Sequence, residues 1–394
     1  MSKYYIFFTR DTLPQAEAHI VHDVNTANAA ANLGYPAVLV YLNNQEKSFN
    51  PLSWVNVFQP QNPTKKLVKY YNIQEHLKVL PLAMPWPISS TGGKWTNVST
   101  IICKYYFPQH IFPQTKILHT LDWNLVKTAI RSGIPVIYER EHNRKNNYEP
   151  EIVNNPLFQV AVTVADSVRD NMIAKGMPPN KIIKLHLSFN QSFLIREIEA
   201  ANLWRNQLLL NDRHKLIVYS GGLYKFKGVD LLLEVAQQLP NFQFVFAGGK
   251  GDRLNSYRQK VQAQNINNVT FLGYLQHDQL PSLLQAADIL AHPHCSGEAA
   301  TFTSPLKFFE YLASGMPIVA TEIPPLIEFK LANIIAGWCE TDNPVAYARC
   351  LEQTITNYPR KVDGYRQQID FARQFSWENR LTKIMSHVDK LFCI

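Results

Sequence analysis

The chain has 394 residues, of which 46% are hydrophobic and 18% are charged. This length exceeds what one ordinary core holds and predicts two domains, while the composition excludes disordered, collagen-like and coiled-coil proteins. The formal net charge is +8, and residues 1–199 carry 20 basic against 14 acidic side chains, a surplus of +6. A basic half indicates either an ordinary basic surface or an anionic partner, such as a phosphorylated lipid, a membrane surface, an acidic glycan or a nucleic acid.

The five cysteines are odd in number and show no C-x-x-C spacing. This argues against a disulfide framework and a zinc site, and it predicts a reducing compartment. The first apolar run, residues 4–8, is shorter than the core of a signal peptide and is typical of a strand. No segment approaches the ~20 apolar residues of a membrane span. We therefore expect a cytoplasmic protein, with any membrane contact peripheral and made through the basic N-terminal half.

Short apolar runs typical of strands alternate with amphipathic segments along the chain. In the first half the predicted strands cover residues 4–8, 37–42, 98–103, 116–119, 136–138, 161–164 and 182–187. After a polar, helix-like stretch over 197–210, strands resume at residues 216–219, 242–246, 269–271, 289–291 and 318–320. This alternation predicts two α/β domains, each a doubly wound parallel sheet, with ligands beyond the carboxyl ends of the strands.

A glycine pair, Gly221 and Gly222, follows the predicted strand 216–219, and Lys227 precedes the next helix. Glycines let backbone N–H groups approach a phosphate closely, and a lysine a few residues on supplies a positive charge. The pattern predicts a phosphate loop, although a plain turn stays an open alternative for the glycine pair alone.

A second helix start carries a stronger pattern. Ser304 is the predicted N-cap, Pro305 lies in the first turn and the helix ends near Gly315. Its N-terminus would offer free N–H groups and a positive dipole end to an anion. Lys307 and Glu310 are three apart and share a face. They form either a solvated ion pair or a ligand site, in which the lysine binds phosphate and the glutamate a sugar hydroxyl.

Metal-ligand side chains occur at His292, His294 and Cys295, but no second cluster supplies the missing ligands at a familiar spacing. A loop at a strand end is the preferred interpretation. Basic residues do not cluster with aromatic ones in a nucleic-acid readout motif. We therefore expect neither a metal nor a nucleic acid as partner.

Five segments, in order, resemble the donor domain of glycosyltransferase family 4. They are residues 227–230, 246–249, 269–274, 287–290 and 304–320. The resemblance implies a GT-B fold, two doubly wound (Rossmann-like) domains facing across a cleft, with a nucleoside-diphosphate sugar donor, retention at the anomeric carbon, and no metal or other cofactor. It also implies an acceptor-binding domain over residues 1–195, a donor-binding domain over 196–375, and a terminal helix over 376–394 that crosses back to the first domain.

The family's site residues fall on matching positions of this chain. The lysine of the K-G motif is Lys227, which would neutralise the diphosphate, and the second motif glutamate is Glu310, which would accept the ribose hydroxyls. The family places a histidine near the transferred sugar, and this falls on His142. His142, Lys227 and Glu310 are the three implied catalytic residues. Further implied donor-binding residues are Gly221, Gly222, Gly248, Tyr274, Ser304, Pro305, Leu306 and Lys307.

Two positions depart from the family pattern. Phe302 stands where the first motif glutamate is expected, which leaves Glu298 or Lys307 as the candidate sugar contact. The arginine that often precedes the lysine is absent, because Gly221 and Gly222 occupy its place.

These observations predict a retaining hexosyltransferase of polysaccharide biosynthesis that uses a glycan, lipid-linked or small-molecule acceptor. Two other functions stay open: a GT-B-type nucleotide-sugar isomerase or phosphorylase, and, because of Phe302, a catalytically degenerate protein that binds nucleotide sugar or glycan. The sequence does not identify the nucleotide, the sugar, the acceptor, the linkage or the oligomeric state.

Overall fold

A computed structural model of the chain describes residues 3–43, 57–74, 76–84, 97–209, 215–302 and 304–393. The chain forms two compact units: unit 1 comprises residues 1–186 and 377–394, and unit 2 comprises residues 187–376. The chain thus passes from unit 1 to unit 2 at 186, where the sequence predicted 195.

Unit 1 is built on a parallel sheet. Its strands are β1 (Tyr4–Thr12), β2 (Ala37–Asn43), β3 (Lys78–Ala83), β4 (Thr115–Thr120), β5 (Val136–Arg140), β6 (Phe158–Thr163) and β7 (Ile182–Lys184). Their order in the sheet is β3-β2-β1-β4-β5-β6-β7, and neighbouring strands pair in parallel. Its helices up to residue 186 are α1 (Ala18–Asn32), α2 (Lys65–Tyr71), α3 (Val98–Ile101), α4 (Trp123–Arg131), α5 (Pro150–Val153) and α6 (Asp166–Ala174).

One predicted strand of unit 1 is wrong. Residues 98–103 form α3 and the start of a π-helical segment, Ile102–Ile111. The side chain of Asn97 accepts a hydrogen bond from the backbone N–H of Thr100 at 2.8 Å and so begins the helix. The β-branched residues of this run favour a strand locally. In the folded unit, however, the run is helical, and Ile101 and Ile102 are buried in that conformation.

Unit 2 repeats the architecture. Its strands are β8 (Lys215–Ser220), β9 (Phe242–Ala247), β10 (Val269–Gly273), β11 (Ile289–His292), β12 (Ile318–Thr321) and β13 (Ala336–Cys339). Their order is β10-β9-β8-β11-β12-β13, again parallel. Its helices are α7 (Ile198–Leu208), α8 (Val229–Gln238), α9 (Gly251–Ala263), α10 (Leu280–Ala286), α11 (Glu298–Phe302), α12 (Leu306–Ser314), α13 (Pro344–Asn357) and α14 (Arg366–Ala372).

The central strand β8 shows why unit 2 has helices on both faces. Leu216 and Val218 are buried in one apolar layer with residues of α10 and α12, whereas Ile217 and Tyr219 are buried in the opposite layer with residues of α8 and α13. Side chains alternate across a strand, so a strand covered on both faces is a continuous apolar run. Burial of such side chains is the main stabilising term, about 25 cal/mol per Å² of apolar surface.

The last helix, α15 (Trp377–Met385), follows unit 2 in sequence but belongs to unit 1. It packs against α1, and the Trp377 ring stacks on His22 with 5.4 Å between ring centroids. Among the described residues, none of the helices is both long and apolar enough for a bilayer span.

Candidate active site

The loop after β8 packs closely against the loop after β11 and is hydrogen-bonded to it. Gly228 has φ +72°, and a Cβ there would lie 1.7 Å from the carbonyl oxygen of Pro293. The backbone N–H of Cys295 donates to the carbonyl of Phe226 at 2.9 Å. Only glycine fits both the left-handed backbone and this close approach, and the packing therefore fixes the position of the adjacent Lys227.

The remaining predicted glycines converge at the same edge of the sheet. The N–H of Gly221 donates to Ala247 at 2.9 Å, and the N–H of Gly248 donates to Gly273 at 2.7 Å. A Cβ on Gly248 would lie 1.9 Å from the carbonyl oxygen of Gly221. The turns after β8, β9 and β10 are thus in mutual contact, and Tyr274, the next residue, is exposed.

The predicted capping of α12 is wrong. The helix begins at Leu306 with Pro305 as N-cap and no side-chain cap, while the Ser304 hydroxyl accepts a hydrogen bond from the backbone N–H of Leu187 at 3.0 Å. Proline is tolerated just before the first helical residue, because the N–H group that it lacks would have no hydrogen-bond partner within the helix. The helix ends at Gly315, with φ +72°, where the sequence predicted.

Lys307 and Glu310 form an ion pair, with 2.7 Å between Nζ and Oε2. The Glu310 side chain is 2% exposed, so this pair is not the solvated surface pair that the sequence left open. Burial raises the pKa of Glu310, against the ammonium groups of Lys307 and Lys227, which lower it. A buried carboxylate at a helix start depends on these cations for its charge.

Lys227 lies within the electrostatic reach of the same pair. Burial, together with the positive charge of Lys307, lowers the pKa of Lys227 to about 8, and the Glu310 carboxylate opposes this shift. The Lys227 ammonium also lowers the pKa values of two neighbouring histidines, His292 and His294, after burial as the main cause. Lys227 therefore interacts electrostatically with both Lys307 and Glu310 of α12.

Both histidines are buried and neutral. Burial lowers the pKa of His292 to about 3 and that of His294 well below its usual range. Their rings meet edge to face, with centroids 4.2 Å apart. Within the described ranges no group of three or more His, Cys, Asp or Glu side chains is arranged to hold a metal ion.

The candidate sugar contact Glu298 and the departing position Phe302 both lie on the short helix α11. Glu298 is its first residue and is exposed, and Phe302, its last, is half-buried. Lys307, the other candidate sugar contact, lies on α12 and is paired with Glu310.

In unit 1, His142 lies two residues beyond β5 and is exposed. Burial of its ring nevertheless lowers its pKa, and the Arg140 charge acts in the same direction against that of Glu141. The Arg140 side chain holds the turn, since its Nε donates to the His142 carbonyl at 2.6 Å. A neutral imidazole at this position is a competent hydrogen-bond partner for a hydroxyl.

Sequence reasoning missed a buried ionic cluster beneath His142. Arg380 of α15 donates through Nη1 and Nη2 to the two carboxylate oxygens of Glu139, at 2.8 and 2.6 Å. His119 contacts Glu139 at 2.7 Å, and His22 bridges Glu139 at 3.1 Å and Glu141 at 2.5 Å. A glutamate within the apolar run of β5 was the available clue, but its partner 241 residues later could not be identified from sequence.

The charges in this cluster balance. Burial disfavours the charged form of His22, but the Glu139 and Glu141 carboxylates outweigh it and raise its pKa to about 10. Burial lowers the pKa of His119, which stays neutral, with its Nδ1 against the Tyr5 hydroxyl at 2.9 Å. Two carboxylates are thus matched by one imidazolium and one guanidinium, as buried charges require.

Residues 201–374 match the family described as glycosyl transferases group 1. The matched segment lies within unit 2. This C-terminal unit is similar to the group 1 glycosyl transferases. Lys227, Lys307 and Glu310 all lie within the matched segment.

Two curated relatives are named as glycosyltransferases. The D-inositol 3-phosphate glycosyltransferase of Corynebacterium aurimucosum is 28% identical over 251 residues, 60% of this chain and 57% of that protein. The putative colanic acid biosynthesis glycosyl transferase WcaI of Escherichia coli is 28% identical over 162 residues, 40% of this chain and 39% of that protein. The chain thus spans about half the length of these relatives or less.

The crystal structure of Anabaena Alr3699/HepE in complex with UDP and glucose is similar to the whole chain. Its TM-score is 0.69 at 14% identity, over 98% of this chain and 99% of that one. A second similar structure, a glycosyltransferase from Rickettsia africae, also gives a TM-score of 0.69, at 15% identity and over 98% of each chain. These similarities confirm the GT-B fold class.

Proposed function

We propose that this chain transfers a sugar from a nucleoside-diphosphate sugar to an acceptor hydroxyl, with retention at the anomeric carbon and without a metal. The observation that carries the proposal is the electrostatic coupling of the Lys227 ammonium to the ion pair that Lys307 forms with the buried Glu310 on α12. Retention is proposed on the family resemblance alone.

The proposed chemistry needs positive charge where the leaving diphosphate develops negative charge. Fixed cations and a helix N-terminus supply this stabilisation without reorganisation during the reaction. Lys227 is fixed because Gly228 packs against Pro293, and α12 is fixed because Tyr311 bonds to Ser220. In this proposal Lys227 binds the diphosphate, and Glu310 accepts hydrogen bonds from the ribose hydroxyls.

The comparisons support the donor class. The similar Anabaena protein was crystallised with UDP and glucose, which favours a uridine diphosphate sugar for the first trials. For the acceptor, the basic surplus of residues 1–199 favours an anionic or membrane-bound glycan. A role of His142 at the transferred sugar is proposed on the family resemblance alone.

The test is a panel of UDP, GDP and ADP sugars, in which thermal stabilisation of the purified chain identifies the donor. The stabilising sugar nucleotide is then incubated with acceptors, and the released diphosphate and the product anomer are measured with and without a chelator. The proposal is supported if transfer proceeds in the presence of the chelator and the product has the same anomeric configuration as the donor. Binding of a donor without any product under all acceptors would favour the degenerate alternative raised by Phe302, and absence of binding would refute the donor site.

A further inference from the structure

The space beside the glycine pair is filled by an aromatic ring. A Cβ on Gly222 would lie 2.6 Å from Cε2 of Tyr224. The Tyr224 ring is itself 44% exposed and stacks with Phe226 at 5.7 Å between centroids. The two glycines of this turn contribute no charged side chain, so the Tyr224 ring forms the exposed surface beside them.

Two cations border the Tyr224 ring. The guanidinium carbon of Arg253 lies 4.3 Å from the ring centroid, and the Nζ of Lys227 lies 5.8 Å from the same centroid. Both distances fall within the ~6 Å over which a cation is attracted to an aromatic face. The ring thus places a second positive charge next to the lysine of the proposed donor site.

Arg253 does not stabilise the helix on which it lies. It lies in the first turn of α9 and is exposed, and a cation there faces the positive end of the helix dipole. No carboxylate among the described residues forms an ion pair with it. By contrast, Arg258 of the same helix donates to the carbonyl of Phe271 at 3.2 Å, a structural contact.

A diphosphate bound at this site would need one more positive charge than Lys227 supplies. Lys307 is matched by Glu310 at 2.7 Å, so this pair is neutral. Lys227 alone supplies one positive charge, whereas the diphosphate of a sugar nucleotide carries two negative charges. A guanidinium presents a planar pair of donors that suits two phosphate oxygens.

We propose that Arg253 is a second diphosphate-binding residue, which is held by the Tyr224 ring and binds the donor together with Lys227. This inference rests on the proposed function, because it concerns the same donor. The site would then take its positive charge from two segments, the turn after β8 and the first turn of α9.

The experiment measures, by calorimetry, binding of UDP, GDP and ADP and of the nucleoside that corresponds to the tightest of them. The variants are Arg253→Ala, Arg253→Lys and Tyr224→Phe, with Arg258→Ala as the control that removes the same charge from the same helix. We expect Arg253→Ala to weaken diphosphate binding by about tenfold or more while nucleoside affinity is unchanged. Arg253→Lys should lie between wild type and Arg253→Ala, and Tyr224→Phe, which keeps the ring, should match wild type.

Two results would overturn the inference while the proposed function stands. One is equal diphosphate affinity in Arg253→Ala and Arg258→Ala. The other is an equal loss of nucleoside and diphosphate affinity in Arg253→Ala, which would indicate a change in the fold of the loop instead of a lost phosphate contact. If the wild type binds none of the three diphosphates, the proposed function itself fails.

Discussion

The side chain of Tyr311 holds both backbone groups of Ser220. Its hydroxyl accepts a hydrogen bond from the Ser220 N–H at 2.7 Å and donates to the Ser220 carbonyl at 3.3 Å. Tyr311 lies on α12 and Ser220 is the last residue of β8. This bond therefore fixes the spacing between the glycine turn and the helix that carries Lys307 and Glu310.

Tyr311→Phe should lower both stability and donor affinity. The buried Ser220 N–H loses its partner, which costs about 1–3 kcal/mol, and α12 loses its connection to β8. The control is Tyr347→Phe, since Tyr347 makes a similar two-way bond with the His292 N–H at 3.0 Å and the Val319 carbonyl at 2.7 Å. Urea unfolding should show similar losses for both variants, whereas calorimetry with the donor should show weaker binding for Tyr311→Phe alone. Equal donor affinities would contradict the spacing role.

Lys227→Ala should abolish transfer and weaken donor binding by about tenfold to a hundredfold, as for a lost charge-assisted hydrogen bond. The matched control is Lys225→Ala, because Lys225 lies in the same short turn, Lys225–Lys227, and is exposed. Both variants remove one charge from the loop. Steady-state kinetics that leave the two variants equally active would remove Lys227 from the proposed site.

Donor affinity should depend on pH through Lys227. Only the protonated amine binds the diphosphate, and burial with the neighbouring Lys307 charge lowers its pKa to about 8. The dissociation constant of the sugar nucleotide should be constant below about pH 7 and rise as the pH passes 8, by at most about tenfold per unit. Bound phosphates raise the pKa of the amine, so calorimetry above pH 8 in buffers of different ionisation enthalpy should detect proton uptake. A flat profile from pH 7 to 9 would contradict this assignment.

Glu310→Gln tests the ribose contact. It removes the carboxylate but keeps the shape of the side chain beside Lys307. Wild type should bind the ribonucleoside diphosphate about tenfold more tightly than its 2′,3′-dideoxy analogue, whereas Glu310→Gln should bind both alike. If the preference for ribose survives in the variant, another residue accepts those hydroxyls.

Within the ionic cluster of unit 1, Arg380 and Glu139 should stabilise the fold only when both are present. Arg380→Met leaves the Glu139 carboxylate buried without its bidentate partner, and we expect the free energy of unfolding to fall by about 3–5 kcal/mol. The double variant Glu139→Gln with Arg380→Met removes both charges and should lose less than the single variant. Denaturant unfolding that shows a greater loss in the double variant would exclude this pairing as the source of the effect.

Most strands of both sheets could be predicted from the sequence because the central strands are apolar on both faces. The exceptions lie at sheet edges. β3, which contains Pro81, and β13, which contains Gly337, were not predicted, since proline and glycine disfavour strands. Both strands are outermost in their sheets, where a missing N–H or a small side chain is tolerated.

The candidate site was only partly accessible from sequence. Lys227, Lys307 and Glu310 could be named because each stands beside a helix start or a glycine turn, and these are local features. Ser304 was wrongly predicted as a cap because its hydroxyl bonds instead to Leu187, 117 residues away in the chain. Contacts of this kind, like the stacking of Arg253 on Tyr224, depend on tertiary packing and leave no local pattern.

The pairing of Arg380 with Glu139 has a consequence for the order of assembly during synthesis. The two residues are 241 positions apart, and all of unit 2 is translated between them. Unit 2 is a continuous segment, 187–376, and can complete its core as soon as that segment leaves the ribosome. Unit 1 would bury an unmatched carboxylate until α15 arrives, so the unit that is made first is expected to reach its native state last.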